Sequence, residues 1–501
     1  MQRIKKYLKT KDLNSIVKYY NSKKLYKMKF INRSLELNDL ERIFQLSKKK
    51  LFPVLVVGPR RVGKTKLIEE FSEKKKFLYF FVYEGKGEKS LLREFEKELK
   101  EKKVIDQHRT LNSMDEFIEL IFIQCKNFII IFDEIQYMLS IYKPFFSLLQ
   151  RKIDENQDYP AMFVFLGSVV GLVKKVFEDL KSPLYGRMKN KINLFQLNYK
   201  AVREMMSYLD YSDEEDYISF YCIFGGFPKY YVTMEDYDMK RTNLLEVLEF
   251  LFLRDNAPLK DEVIDVLRQE FGKRKSYYYD IIEAIATGKT KLNEIATYVG
   301  KHPTEITSFI KDLIDYYEII KKETIITENP RKSRNSIYLI KSPLFKFWFK
   351  FIYPNLRHIE SSKFDLVLDN LTKEINSYIG LGFEEVCKQV IIEVKKSSLV
   401  GKWWGWKREG VDKKAIEIDI VTLNKEKKEI LFGECKWKEK VNAKTIVKEL
   451  SENSKYVKWN NKIRKESFAV FAKSFSKKIK EFEEKEVYCF DLKNIRKILK
   501  K

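Results

Sequence analysis

The chain predicts an α/β architecture: an open parallel sheet first, then a small helical module, then a second α/β unit. Three observations carry that expectation. Between residues 51 and 200, unbroken apolar runs alternate with helical stretches, as they do where strands are buried on both faces. A glycine-bearing turn, Gly58-Pro-Arg-Arg-Val-Gly63-Lys64-Thr65, stands between the first run and a helix. The run Phe128 to Phe132 closes on two acids, Asp133 and Glu134.

At 501 residues the chain exceeds one ordinary core, and about 150 residues per domain suggests about three domains. A hydrophobic fraction of 44% with 37 Phe and 29 Tyr fills several cores and excludes a disordered polymer. The formal charge of +25 favours polyanionic partners such as nucleic acid or anionic lipid, although a lysine-rich, low-GC genome yields the same excess. Cys125, Cys222, Cys387, Cys435 and Cys489 lie far apart with no CxxC spacing, which argues against zinc and against a disulfide framework. A reducing cytoplasm is the expected compartment. No apolar stretch reaches about 18 residues, and the N-terminus lacks an export signal, so the expectation is a chain neither exported nor membrane-spanning. Residues 1–29 read as a basic extension with amphipathic helical character.

The first strand, residues 51–57, leads into the glycine turn, and a helix follows over 64–71. This is the context a phosphate-binding loop requires. Gly58 and Gly63 let the backbone wrap an anion, and successive N–H groups and the helix N-terminus point at a β-phosphate. Lys64 reaches the β and γ oxygens, and the Thr65 hydroxyl ligates magnesium. Pro59, Arg60, Arg61, Val62 and Lys66 complete the candidate binding segment. Lys76 to Tyr83 reads as another strand. At the tip of the 128–132 strand, Asp133 is expected to hold magnesium through water and Glu134 to polarise the attacking water. The strand Ala161 to Gly167 ends at Ser168, either a sensor of the γ-phosphate or a helix N-cap. Arg187 is a candidate charge stabiliser, acting within its own chain or across a subunit boundary; in so basic a chain its spacing alone carries little weight.

Together these motifs resemble the archaeal ATPase family, P-loop proteins related to the AAA+ and STAND groups. The resemblance covers nearly the whole chain. Its marks are Phe30-Ile-Asn-Arg33-Ser-Leu-Glu36-Leu, the phosphate loop, Phe132 to Gln136, Leu166 to Ser168, Pro183 to Arg187, and Gly225-Gly226-Phe-Pro228-Lys-Tyr-Tyr. It implies that Asn32 and Arg33 lie near the adenine of ATP, and that Gly226 and Pro228 close the pocket from a helical lid over 201–275. The ATPase core spans 30–200 in this reading. The resemblance also strengthens Ser168 and Arg187.

Residues 276–342 change character. A helix over Leu292 to Val299 with Thr290 as its cap, a turn at Gly300 to Pro303, and Ile306, Phe309, Ile310 and Leu313 at helical spacing form a helix-turn-helix pattern. Runs at 317–321 and 336–340 suggest a wing. Such a winged helix serves either DNA contact or protein packing; positive charge favours DNA, while Glu305 and Asp312 on the second helix oppose it.

An aromatic connector over 343–365 leads to a final unit, 366–501. Two apolar strands carry Asp419 and Glu434-Cys-Lys436, and period-two geometry places Glu434 and Lys436 on one face. Carboxylates converging there call for a neutralising cation, with oxygen ligands selecting magnesium or manganese, and an adjacent lysine can position water. The arrangement resembles the PD-(D/E)XK nuclease superfamily, in which an upstream helix supplies a further acid, here Glu384. The alternative is a solvated hairpin face of alternating charges. Trp403, Trp404 and Trp406 read as core or domain interface rather than as a base-stacking platform.

The combined expectation is an α/β chain: a P-loop NTPase parallel sheet with helical lid, then a winged-helix domain, then an α/β nuclease-like domain. Its ligands are ATP and Mg2+, and its partner is DNA. Its function is ATP hydrolysis coupled to DNA binding and to Mg-dependent DNA cleavage. The rival is a STAND-like signalling switch or scaffold with slow or no hydrolysis and an inactive nuclease-like domain.

Overall fold

The computed structural model describes residues 28–271, 276–333, 335–396, 398–409 and 412–500. The basic helix expected over residues 1–29 falls almost wholly outside the described residues. Helix α1 (Ser34–Ser47) precedes β1 (Phe52–Val57), and α2 (Lys64–Ser72) follows the glycine turn. Then come β2 (Phe77–Phe81), α3 (Glu88–Glu101), α4 (Met114–Gln124), β3 (Ile129–Asp133), α5 (Phe145–Glu155), β4 (Met162–Gly167), α6 (Val170–Phe177) and β5 (Asn190–Asn193). The strands form one sheet in the order β2-β3-β4-β1-β5, every pairing parallel.

Every residue of β3 and β4 is buried, which is why those runs lack polar alternation. One face packs Phe80, Phe95, Phe117, Phe132 and Phe165 together. The other sets Val54, Val56, Ile131 and Val164 against Leu67 and Ile68 of α2. Each such side chain contributes about 1.5–3 kcal/mol on burial, so the sheet is a rigid platform for the loops at its C-terminal edge.

The lid begins with α7 (Tyr199–Tyr208), capped by Asn198, whose side chain accepts the Ala201 N–H. Asp213 caps α8 (Glu214–Phe224), and Pro228 opens α9 (Pro228–Asp236) from its first turn, where its missing N–H costs nothing. Next is α10 (Glu262–Phe271). Helices α11 (Ser276–Ala286), α12 (Leu292–Val299) and α13 (Pro303–Lys311) follow, then an antiparallel pair, β6 (Ile320–Thr324) and β7 (Ser336–Ile340). Two expectations need correction. Thr290 does not cap α12; Lys291 is the N-cap residue, and the Glu294 carboxylate reaches back to accept the N–H groups of Thr290 and Lys291 at 3.1 and 3.2 Å. The first strand of the pair begins at Ile320, because Asp312–Tyr316 continues α13 as a π-helical turn.

The segment read as a connector is core. Phe347, Trp348, Phe349 and Ile352 are fully buried, and the Trp348 indole donates to the Lys260 carbonyl at 3.0 Å. The 31-residue α14 (Phe364–Val394) lies against α8. At Gly382 a methyl group would stand 2.6 Å from the Cys222 sulfur; only glycine permits that approach.

The final unit adds β8 (Leu399–Glu409), β9 (Asp412–Asn424), β10 (Glu429–Lys436), β11 (Val441–Asn442), α15 (Ala443–Ser454), β12 (Lys465–Ala472), β13 (Phe475–Lys477), β14 (Glu481–Phe482), β15 (Lys485–Phe490) and α16 (Leu492–Lys500). Its mixed sheet runs β14-β15-β12-β10-β9-β8, with β11 paired to β13 apart from it. One continuous apolar cluster joins the lid, the α11–α13 unit, the 343–365 segment, α14 and one face of this sheet, through residues such as Phe224, Ile282, Trp348, Phe383 and Phe471. Among the described residues no helix is long and apolar enough to cross a membrane, and all five cysteines are free.

Candidate functional site

The glycine turn joins β1 to α2 at the C-terminal edge of the parallel sheet. Gly58 admits no side chain, since a Cβ there would stand 2.5 Å from the Leu194 carbonyl. Gly63, in the left-handed region at φ 94°, forms the N-cap of α2. Lys64 is only 6% exposed, and its ammonium donates to the carbonyls of Gly58 and Pro59 at 2.7 and 3.0 Å. Burial pulls it down to about 8, against the opposing pull of Glu134 and Asp133.

Thr65 donates to Asp133 Oδ2 at 2.9 Å. Tyr79 on the neighbouring strand donates to the same oxygen at 2.5 Å. Burial raises the Asp133 carboxyl. Glu134 is held in the left-handed region at φ 56°, and its carboxylate accepts from the Ser168 hydroxyl, at 2.7 Å on Oε2, and from the Gln136 amide. Ser168 therefore faces the strand-tip acids; the N-cap position of α6 belongs to Val169.

The remaining loop residues divide by role. Arg60 donates to the Tyr137 hydroxyl at 2.9 Å. Arg61 makes a bidentate pair with Glu262 of α10 at 2.7 and 3.0 Å. Val62 is buried and offers only its backbone; its carbonyl accepts from Arg33 at 3.2 Å, and the Phe195 carbonyl accepts from the same guanidinium at 2.6 Å. Asn32 and Arg33 both adopt positive φ, which turns the chain so that Arg33 braces the loop. Lys66 points away, into an exposed pair with Glu69 at 3.1 Å, so its side chain is not part of the loop surface. Pro228 comes within 3.9 Å of where a Gly63 Cβ would be. Gly226 presses on Leu197, whose N–H donates to its carbonyl at 2.8 Å. A further acid from α10, Glu270, is enclosed here: its carboxyl feels Arg60 and Lys64, accepts the Val170 N–H, and is pushed by burial up to about 8. Among the described residues its Oε2 has no hydrogen-bond partner.

Arg187 stands elsewhere. Lys189 donates to the Pro53 carbonyl, at the N-terminal end of β1, and Arg187 just before it is clamped by Asp154 at 3.0 Å. That is the opposite edge of the sheet from the phosphate loop, so of the two alternatives for Arg187 the placement favours the one across a subunit boundary.

The loop geometry fits a magnesium triphosphate. The Thr65 hydroxyl and Asp133 carboxylate converge as hard oxygen donors, Gly58 keeps the cradle clear, and backbone N–H groups at the start of α2 provide the anion site.

The C-terminal acids are disposed differently. Glu434 accepts from Lys436 at 2.6 Å, and Asp419 accepts the Cys435 N–H at 2.8 Å. Glu384, on α14, is paired with Lys402 of β8, which also reaches Glu417 at 3.2 Å. A register shift between β8 and β9 sets two residues, Asp419 and Ile420, opposite Lys402, and such a bulge re-aims the side chain. Burial raises the carboxyls of Glu384, Asp419 and Glu434 and opposes the carboxylate-driven upward shift of Lys402. Among the described residues no three acid, histidine or cysteine side chains converge to hold an ion. In the structure Lys402 pairs with Glu384, Lys436 with Glu434 and the Cys435 N–H with Asp419; these are the partners that a cation at the expected site would displace.

Tyr79, Gln136, Glu262, Glu270 and Lys402 escaped the sequence reading. Tyr79 carried a usable signal, since it lies on the strand next to the acids ending β3 and pairs in register with Ile131, two residues before Asp133; Lys402 carried none, because the β8–β9 register shift places it. Glu262 and Glu270 reach the loop from some 200 positions away and carry none.

A family model described as an ATPase domain predominantly from Archaea matches residues 30–234, and one described as archaeal and bacterial proteins of unknown function matches residues 348–447. The chain is 30% identical over 438 residues to uncharacterized protein MJECL04 of Methanocaldococcus jannaschii, covering 85% of this chain and 92% of that one. The fold overlays the Walker-type ATPase PABY2304 of Pyrococcus abyssi with a TM-score of 0.50 and 19% identity, over 64% of this chain and 96% of the other. It overlays the Aeropyrum pernix ORC2 protein with a TM-score of 0.45 and 14% identity, over 70% and 98%. At 19% identity the first of these overlays bears on fold alone.

Proposed function

The chain belongs to the archaeal ATPase family, and on that premise we propose that it hydrolyses ATP at the edge of the five-stranded sheet and uses the nucleotide state to govern a DNA-contacting winged helix, α11–β7. The observation that carries the first half is the network beneath the loop, in which Thr65, Tyr79 and Ser168 hold Asp133 and Glu134 in place with uncharged donors. Those donors fix where the two carboxyl groups point without adding a counter-charge.

In this reading Lys64 exchanges its two carbonyl partners for phosphate oxygens, and the N–H groups at the start of α2 take the β-phosphate. Thr65 and Asp133 would hold magnesium, which would supply charge neutralisation on the phosphate oxygens. Glu134 orients the attacking water and draws on its proton, while Ser168 and Gln136 keep the carboxylate aimed. Glu270 competes with the triphosphate for Lys64 and Arg60, and Arg61 links the loop to Glu262. Loop occupancy is thus felt by α10, the element that leads into α11. Such ordering of a lid is a recognised switching mode. Arg187 can reach a triphosphate only across a subunit boundary.

The DNA half draws support from the charge of +25 and from the helix pair α12–α13 followed by the β6–β7 hairpin. The C-terminal acids enter as part of a contact face, with no cleavage step. Turnover measured with and without duplex DNA tests the proposal. Glu134→Gln should lower it by about 10²–10⁴-fold, and duplex should raise the wild-type rate. Full activity in Glu134→Gln would remove the hydrolytic assignment; equal rates with and without duplex would remove the coupling. The STAND-like switch remains the second reading, favoured by the enclosure of Lys64 and the self-neutralised C-terminal acids. A salt titration separates the two, because DNA contact must weaken steeply with salt.

A further inference from the structure

A cavity of about 890 Å3 opens between the α11–β7 unit, the middle of α14 and the bulged strand β8. Seven lysines face it against four glutamates, and Trp404 and Trp406 line one wall. Lys346 is its least satisfied group. Among the described residues no carboxylate pairs with it; its ammonium lies 5.7 Å from the Tyr378 ring centroid, and burial weakens its hold on the proton. Trp406 is 60% exposed, with the Lys291 ammonium 5.8 Å from its ring centroid, so one end of the cavity carries an open aromatic surface beside a cation. Lysines spaced along a wall with an accessible indole are the chemistry of backbone neutralisation plus base stacking.

Size selects the ligand. A volume of about 890 Å3 lies in the roughly 300–1,000 Å3 range of pockets that enclose one drug-sized molecule, the scale of one or two nucleotides and not of a double helix. An intact duplex is excluded, whereas an unpaired strand enters. We propose that this cavity binds single-stranded DNA, with phosphates on Lys346 and its neighbouring lysines and a base stacked on Trp406. The inference rests on the DNA-contact reading given above and adds, beside the duplex contact of the winged helix, a separate seat for an unpaired strand. Glu384 and Glu417, held by Lys402, form the acidic floor that keeps the strand shallow, so the site retains DNA rather than cutting it.

The test uses the full chain and a fluorescently labelled short oligonucleotide, single-stranded or as a blunt duplex, followed by anisotropy at about 50 mM salt and above. The wild type should bind the single strand more tightly than the duplex. Trp406→Ala should weaken single-strand binding by about 10-fold. Lys346→Met, which keeps the aliphatic stem, should lower the salt slope by about 0.7. Both variants should keep DNA-free ATP turnover, which also reports that they fold. Unchanged single-strand affinity in both variants overturns the assignment. Duplex binding without single-strand binding overturns it while the DNA-contact reading stands; no binding of either form overturns both.

Discussion

Two sheet edges in this molecule gather acids, and they are neutralised in opposite ways. At the parallel sheet, Asp133 and Glu134 are held by hydroxyls and an amide, from Thr65, Tyr79, Ser168 and Gln136. At the mixed sheet, Glu384 and Glu434 are held by the ammonium groups of Lys402 and Lys436. Neutral donors orient a carboxylate without discharging it and so leave an appetite for a cation. Ammonium partners satisfy that appetite internally. The presence of acids at strand tips is thus a poor guide to metal chemistry; the charge of their partners is the better one.

The largest effect that would sharpen this contrast is at Lys402. Lys402→Met strands the mostly buried Glu384 without a counter-charge and should cost about 3–5 kcal/mol, read as a lower denaturant midpoint; a loss near zero would mean that Glu384 was never neutralised by it. Next is Asp133→Asn, which removes the charge; with its carbonyl on Thr65 and Tyr79, its amide turns onto the Glu134 N–H that Asp133 Oδ1 accepts at 2.9 Å. ATP turnover should fall by about 10²–10³-fold and lose its response to magnesium concentration, while the lost acceptor costs only about 1 kcal/mol of stability. If Asp133→Asn instead behaves like Lys402→Met, the two edges are alike and the contrast is broken.

The third effect is a pH slope at Glu270. Its carboxyl is raised from 4.5 to about 8, so between those values the folded protein keeps a proton that the unfolded chain releases. Stability without nucleotide is therefore lost as pH rises through that window, by at most about 1.4 kcal/mol per unit, and Glu270→Gln should flatten the curve and tighten ATP binding only above about pH 8, where the wild-type carboxyl ionises. Lys64, pulled down from 10.5 to about 8, acts in the other window, where stability rises between pH 8 and 10.5. Chemical denaturation across pH 5 to 10 distinguishes the two, as estimated from those shifts. The smallest effect is Tyr79→Phe, which leaves Asp133 one donor short and should cost about 1 kcal/mol with only a modest change in turnover.

Much of this was legible in the sequence because it is local. The phosphate loop, its flanking strand and helix, and the acids ending β3 follow from contiguous residue types, and the strands fall within a residue or two of the expected positions. Asp419 beside Glu434 followed from hairpin spacing, and β9 and β10 pair accordingly, with Ile420 opposite Gly433. What stayed hidden depends on a register or on distance. The bulge at Lys402 is a slip of pairing between β8 and β9, invisible in either strand alone. Glu270 reaches the loop only because the lid folds back over it. The 343–365 segment read as a linker because aromatic content alone does not say which surface will cover it.

At Gly382 and Cys222 the absence of one methyl group lets α14 nest against α8 with no room to slide. A side chain added at Gly382 would therefore pry the lid helix from the helix that carries the distal sheet.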